Sequence, residues 1–269
     1  MIRWLAWRVI SNYVAGETAE DAVQLAKGLE EKGFSSTISL LGEGCTDGES
    51  DAAFWEYMQL IGLLEKADLN DCGISVKYTH LGSYNISRIL ELVCHAKNKH
   101  KFPICLDMED YQNKKYIIEL YNELKKFKVS TVLQSRIKDS IEDIKQIDNV
   151  RICKGIYKES KEITLFGEDV NSNFKELLRH CVKEKKYVSV ATHDINLIED
   201  CEKILKDYDK CEFQFLHGVP VEEEANRLKE LGHKVRYYIP YGSDWFKYCW
   251  RRAKENPNII KHVIGNMFK

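Results

Sequence analysis

Short apolar runs rich in β-branched residues recur along the chain and alternate with longer stretches whose apolar residues return every three or four positions. The short runs fall at 37–41 (TISLL), 74–78 (ISVKY), 103–108 (PICLDM), 131–134 (TVLQ), 150–154 (VRICK), 187–191 (YVSVA), 211–216 (CEFQFL) and 235–239 (VRYYI). They read as strands buried on both faces, the pattern of a parallel sheet covered by helices. The helix-period stretches lie at 19–33, 87–98, 114–127, 140–147, 170–185, 196–207 and 221–232, the last ending on Gly232, a residue suited to the left-handed position after a helix. Eight strands alternating with helix-period stretches predict an α/β fold closed as a (β/α)8 TIM barrel, a single domain over 1–269, rather than an open doubly wound sheet. Residues 1–16 are expected to form an N-terminal helix packed on the barrel, and 258–269 a C-terminal tail helix. No GxGxxG follows the first strand and no GxxxxGK[ST] occurs, so the phosphate cradles of Rossmann and P-loop folds are absent.

Composition narrows the function classes. Of 269 residues, 44% are hydrophobic and 30% charged, a balance that buries a full core. Lys+Arg 40 against Asp+Glu 42 leaves a net charge of -2, which gives no electrostatic case for nucleic acid. The 9 cysteines are odd in number and form no CxxC, so they read as small hydrophobes in a reducing compartment, not as a disulfide scaffold or metal site. The opening MIRWLAWRVISNYVAG is interrupted by Arg3 and Arg8, too short and too charged to span a bilayer and without a signal-peptide cleavage site; Trp4 and Trp7 leave a weak membrane-surface role.

Barrel enzymes keep their sites at the C-terminal ends of the strands. Lys77 stands at the end of the second strand. Asp107, Met108 and Glu109 close the third, and Gln134 closes the fourth. Arg151 and Lys154 bracket the fifth, followed by Gly155, Ile156 and Tyr157. Thr192 and His193 follow the sixth, Leu216, His217 and Gly218 the seventh. Tyr238 closes the eighth, and Tyr248, Arg251, Arg252 and Glu255 come after it. So many polar residues in one ring mark a functional rim. Lys77 and Arg151 are costly to bury unpaired, so each must face a carboxylate or a ligand; a purely structural Lys77–Asp107 or Arg151–Glu pair is the plain alternative. Asp107 and Glu109 could also only cap the helix around Lys114. The Arg251–Arg252 pair, with Glu255 one turn on, suits a carboxylate gripped bidentately.

These segments resemble the proline dehydrogenase family, a flavin-dependent (β/α)8 barrel, in order over residues 13–260. ISVKYTHLG is similar to its strand-two lysine segment, ICLDMED to its strand-three Asp-x-Glu, and TVLQSR to its strand-four glutamine. VRICKGIYKE is similar to Arg-Leu-Val-Lys-Gly-Ala-Tyr, and YYIPYGSDWFKYCWRRAKENP carries the Tyr-x-Pro-x-Gly and Tyr-x-x-Arg-Arg-x-x-Glu-Asn segments. The resemblance implies that Arg251 and Arg252 hold the carboxylate of L-proline beside Lys77. It implies that Tyr238 packs on the pyrrolidine ring, Leu216 supplies an apolar wall and Glu255 pairs with an arginine of the clamp. Asp107 and Arg151 become the catalytic charges, Arg151 near the flavin N5, and Met108, Gln134, Lys154, Gly155, Ile156, Thr192 and His193 contact FAD.

The implied reaction moves a hydride from proline C5 to flavin N5 and yields Δ1-pyrroline-5-carboxylate, the first step of proline catabolism. The alternative is oxidation of another cyclic amino acid such as 4-hydroxyproline or pipecolate; retention of Tyr238, whose phenol would meet a ring hydroxyl, favours proline. Quinone or another acceptor is implied, with a cytoplasmic location and peripheral contact at the inner membrane face. Three features depart from the family: QSR at 134–136 replaces Gln-Ala-Tyr, Ile156 stands where Ala is common, and the N-terminal helical arm of many members is missing or short.

Overall fold

The computed structural model describes residues 13–42, 45–82, 85–100 and 102–245. The expected helices at 1–16 and 258–269 fall wholly or mostly outside these residues, as do Tyr248, Arg251, Arg252 and Glu255.

Eight parallel strands close into a barrel in chain order: β1 (Ser35–Leu40), β2 (Cys72–Val76), β3 (Ile104–Leu106), β4 (Ser130–Gln134), β5 (Asn149–Cys153), β6 (Tyr187–Ala191), β7 (Cys211–Leu216) and β8 (Val235–Tyr241). The ladder closes where β8 lies along β1, with Thr37 opposite Tyr238 and Ile38 opposite Ile239. Helix α1 (Ala19–Glu31) precedes β1, and one helix follows each strand up to β7: α2 (Asp47–Ala67), α3 (Ile86–His100), α4 (Tyr111–Leu124), α5 (Ser140–Asp143), α6 (Glu168–Lys183), α7 (Ile195–Leu205) and α8 (Glu222–Glu230). The helices start where side chains replace missing backbone partners. Thr18 and Asp21 form a capping box at α1, and Asp110 and Asp194 accept from backbone N–H groups of the first turns of α4 and α7.

The barrel has two interiors. Outward-facing strand residues such as Ile38, Val76, Leu106, Val150, Val188, Phe213 and Ile239 are buried against the helices in one continuous apolar shell. Each such side chain contributes about 1.5–3 kcal/mol. The inward positions alternate with them and are polar yet buried: Ser39, Ser75, Asp107, Arg151, Ser189, Glu212, Gln214 and Arg236. The apolar runs therefore hide an alternation, and the inner face is not the layered aliphatic plug usual in these barrels. Cys72, Cys105, Cys181, Cys201 and Cys211 are buried thiols, and burial pushes Cys72, Cys181 and Cys201 up to about 12, as inert small hydrophobes. Among the described residues no helix is long and apolar enough to cross a membrane.

Several boundaries differ from the sequence pattern for local reasons. β2 ends at Val76, so Lys77 lies just past it, before a 3-10 turn over Tyr78–Leu81. β3 stops at Leu106, which releases Asp107 and Met108 to the rim. The helix at 140–147 is one α-turn followed by a 3-10 turn over Ile144–Gln146. Helix α2 lies outside the helix-period stretches of the sequence. Its buried stripe, Ser50, Ala53, Phe54, Tyr57, Leu60, Ile61 and Leu64, has helical spacing, but exposed Trp55 and half-buried Met58 and Leu63 blur it.

The N-terminal end of the barrel is locked by charge. Arg236 Nε donates to both oxygens of Glu212 at 2.9 and 3.1 Å, and its Nη2 reaches Asp71 at 2.7 Å. Lys234 Nζ stands 2.6 Å from Asp71. Burial alone would raise the Asp71 pKa, but the Arg236 charge and bonds from Lys234, Arg236 and Ser35 outweigh it and bring it to about 2. A carboxylate depressed on folding stabilises the protein above its ordinary pKa and loses that contribution as the pH falls through the folded value. Denaturant unfolding midpoints measured from about pH 4 down to about pH 2 should therefore fall less steeply for Asp71→Asn than for the unaltered chain. Parallel curves would show that Asp71 gains nothing on folding.

Candidate active site

A cavity of about 560 Å3 opens at the C-terminal ends of the strands. This size suits a drug-sized or cofactor-sized ligand. Every residue that the resemblance assigns to the site and that is described lines it: Lys77, Asp107, Met108, Gln134, Arg151, Lys154, Gly155, Ile156, Thr192, His193, Leu216 and Tyr238; the rim residues Glu109, His217 and Gly218 do not. Seven strands or strand ends thus converge on one space, which only a closed barrel achieves.

At its floor lies a charge cluster. Asp107 accepts from Arg151 Nη1 at 2.9 Å and Ser75 Oγ at 2.6 Å through one oxygen, and from the Tyr238 hydroxyl at 2.7 Å through the other. Lys77 Nζ stands 3.7 Å from that second oxygen and donates to Ser39 Oγ at 3.3 Å. Arg151 carries its guanidinium 5.1 Å from the centre of the Tyr238 ring, a cation–π approach. Burial would raise the Asp107 pKa, but the positive charges of Arg151 and Lys77 reverse this and hold it below the usual carboxylate range. Asp107 is therefore an anion throughout the neutral range and a poor proton acceptor. Burial, then the Asp107 charge, push the Tyr238 phenol far above its ordinary value, so Tyr238 remains a donor.

The plain alternatives resolve separately. The Lys77–Asp107 pair exists, but Arg151 pairs with Asp107 and not with a glutamate. Neither Asp107 nor Glu109 caps the next helix; Asp110 does, accepting from Asn113 N at 3.1 Å. Glu109 instead accepts from the Thr79 backbone N–H at 3.2 Å and from its hydroxyl, away from the cavity lining.

The opposite wall has a different chemistry. Lys154 Nζ is 2.5 Å from Asp194. His193 Nε2 accepts from the Leu216 backbone N–H at 2.9 Å, which places the proton of the neutral ring on Nδ1. Gln134 donates through Nε2 to the Glu109 carbonyl at 2.9 Å, while its buried Oε1 has no hydrogen-bond partner. Gly155 holds φ 93°, and a Cβ there would stand 2.6 Å from that oxygen. Only glycine lets the backbone after β5 lie against Gln134. Ile156 is partly exposed at 39%. An unmet acceptor, a close backbone cradle and the Lys154 ammonium form a wall that fits a large polar heterocycle such as that of a flavin nucleotide.

Sequence reasoning missed Ser75, Cys153 and Gln214, which join Asp107 and Arg151 or line the cavity. The signal available was period two: Ser75 precedes Lys77, Cys153 follows Arg151 and Gln214 precedes Leu216, each by two positions on the same strand face.

The sequence model of the family described as proline dehydrogenase matches residues 22–157 and 163–263. Proline dehydrogenase 1 of Bacillus subtilis subsp. natto is 31% identical over 276 residues, which span 96% of this chain and 90% of the relative. Proline dehydrogenase of Deinococcus radiodurans is 30% identical over 296 residues, spanning 100% of this chain and 93% of that protein. Among solved structures, proline utilization A of Bdellovibrio bacteriovorus superposes with a TM-score of 0.84 at 20% identity and covers 93% of this chain. The Bradyrhizobium japonicum protein of the same name gives 0.79 at 22% identity and covers 92%. At such identity these two speak for the fold, and this chain spans 33% and 31% of their lengths.

Because Arg151 and Asp107 neutralise each other in a buried place, removing one strands the other. Asp107→Ala is expected to cost about 3–5 kcal/mol in urea unfolding, and adding Arg151→Met should recover part of that loss. Additive penalties in the double variant would contradict the pairing.

Proposed function

The chain belongs to the proline dehydrogenase family, and from that premise we propose that it oxidises L-proline to Δ1-pyrroline-5-carboxylate with FAD held in the 560 Å3 cavity. The observation that carries this reading is the convergence of Lys77, Asp107, Arg151 and Tyr238 opposite the Gln134–Gly155 wall within one cavity. FAD, when bound, supplies the two-electron acceptor for the hydride that leaves proline C5 as the ring nitrogen gives up a proton.

The chain's own residues do the rest. Gln134, Gly155, Lys154, Ile156, Met108, Thr192 and His193 would hold the cofactor: Gln134 through its unpartnered oxygen, His193 through its Nδ1 proton and Lys154 through its charge. Arg151 brings a fixed positive charge, which favours the electron-rich state of whatever lies against it. Asp107 keeps Arg151 and Lys77 in place and stays ionised while doing so. Tyr238, pinned by its hydroxyl to Asp107, offers a rigid ring face for an apolar five-membered ring, with Leu216 as a second wall. A ring hydroxyl on the substrate would meet this tethered phenol, which supports proline over 4-hydroxyproline. The carboxylate is assigned to Arg251 and Arg252, with Glu255 orienting one guanidinium and Lys77 adding charge. Electrons then pass to a quinone or another acceptor, with peripheral contact at the inner face of a membrane and the protein otherwise in the cytoplasm.

The purified protein should show a flavin absorption band that bleaches on anaerobic addition of L-proline and not of 4-hydroxyproline or pipecolate. A colourless protein that stays colourless with added FAD refutes the reading. A charge-assisted bond is worth about 1.5–3 kcal/mol, so Arg252→Met should raise KM for proline by about tenfold to a hundredfold while the flavin band persists. Unchanged kinetics would remove the clamp.

A further inference from the structure

Arg151 is bonded on two sides, through Nη1 to Asp107 and Ser75 and through Nε to Gln214, and only the first side belongs to the charge cluster. Its Nη1 meets Asp107, while its Nε donates to Gln214 Oε1 at 2.6 Å. Bonds on two edges of a planar guanidinium fix both its position and its rotation. Gln214 is buried, and a glutamine amide can present either its oxygen or its NH2 group. Here the choice is made from below. Gln214 Nε2 donates to Glu212 Oε1 at 2.5 Å, two residues earlier on the inner face of β7. A carboxylate only accepts, so the amide cannot turn over without placing its NH2 against the Arg151 N–H.

Glu212 is itself immobilised. It accepts from Arg236 Nε, from Ser189 Oγ at 3.0 Å and from the Tyr187 hydroxyl at 3.2 Å. Burial would raise its pKa, but the Arg236 charge and bond outweigh this and keep it an anion. Gln214 and Arg151 also line both the upper cavity and a second one of about 240 Å3 at the N-terminal end of the barrel. The pair thus lies between the two cavities. Directed bonds to Gln214, Asp107 and Ser75 hold Arg151 there, with the Tyr238 ring against its guanidinium.

We propose that Gln214, oriented by Glu212, is a positioning residue that holds the Arg151 guanidinium in its working orientation beneath the upper cavity. This rests on the reading that Arg151 serves proline oxidation. It acts through Arg151 and requires no contact of its own with substrate.

The test uses the full-length protein with its flavin, labelled with 15N-arginine. The Arg151 Nε–H resonance is identified as the signal lost in Arg151→Lys. In Gln214→Met, close in shape but without acceptor or donor, exchange of that proton with solvent should quicken at least tenfold. The Nε–H of Arg227, bonded to Glu224 at 2.9 Å on the outside of the barrel, should keep its rate. The kcat for proline should fall at least tenfold with KM within twofold. If Gln214→Met does not fold, Gln214→Asn, whose amide falls one methylene short of Arg151, is expected to give the same pattern. Unchanged Arg151 exchange in the folded variant overturns the proposal, and so does faster exchange with unchanged kcat. An unaltered protein that never oxidises proline sinks the functional reading instead, and leaves the exchange measurement standing as a test of the anchor alone.

Discussion

A guanidinium inside a barrel sets the terms for everything around it. Arg151 is buried, so its charge must be matched and its N–H groups satisfied within the protein. Asp107 supplies the charge from β3's end, Gln214 an acceptor from β7, and Tyr238 a ring face from β8. Those three come from different parts of the chain, and only ring closure brings them within bonding distance. The same requirement explains why Asp107 stays ionised despite burial: it answers two cations, and losing its proton is easier than leaving them unmatched.

The inner face is where this barrel departs from the usual economy of its fold. Ordinarily layers of branched aliphatics fill the centre. Here a line of charged and amide groups runs from Asp71 through Arg236, Glu212, Gln214 and Arg151 to Asp107. Such a line stabilises little by itself, because desolvation offsets most of the attraction. Cohesion therefore rests on the outer shell, where residues such as Phe213, Ile152 and Phe174 pack between strands and helices. The consequence is a division of labour: the outside of the sheet keeps the protein folded, and the inside is free to hold polar geometry.

That division also decides what was legible in the sequence. The eight strands and most helices announce themselves because the outer shell imposes apolar periodicity. The rim residues Lys77, Asp107, Gln134, Lys154 and His193 were visible as polar groups directly after apolar runs, and the cavity gathers them. Ser75, Gln214 and Glu212 were not, because a run such as CEFQFL scans as apolar until Glu212 and Gln214 are separated from Phe213 and Phe215 by face. Helix α2 was hidden by the reverse effect, apolar residues outside its buried stripe. The cap at Asp110 cannot be told by sequence from Asp107 and Glu109, because three acidic groups stand within four positions and only backbone direction decides which one meets the helix.

The pairing of β8 with β1 reaches beyond architecture. Tyr238 meets Asp107 across 131 residues, and Arg236 meets Ser36 across 200. Until β8 has left the ribosome, Asp107 lacks its phenol and Glu212 lacks its arginine. Pairings this distant along the chain form late and slowly. A chain stopped short of β8 thus has neither a closed ring nor the phenol and arginine that complete its inner polar line.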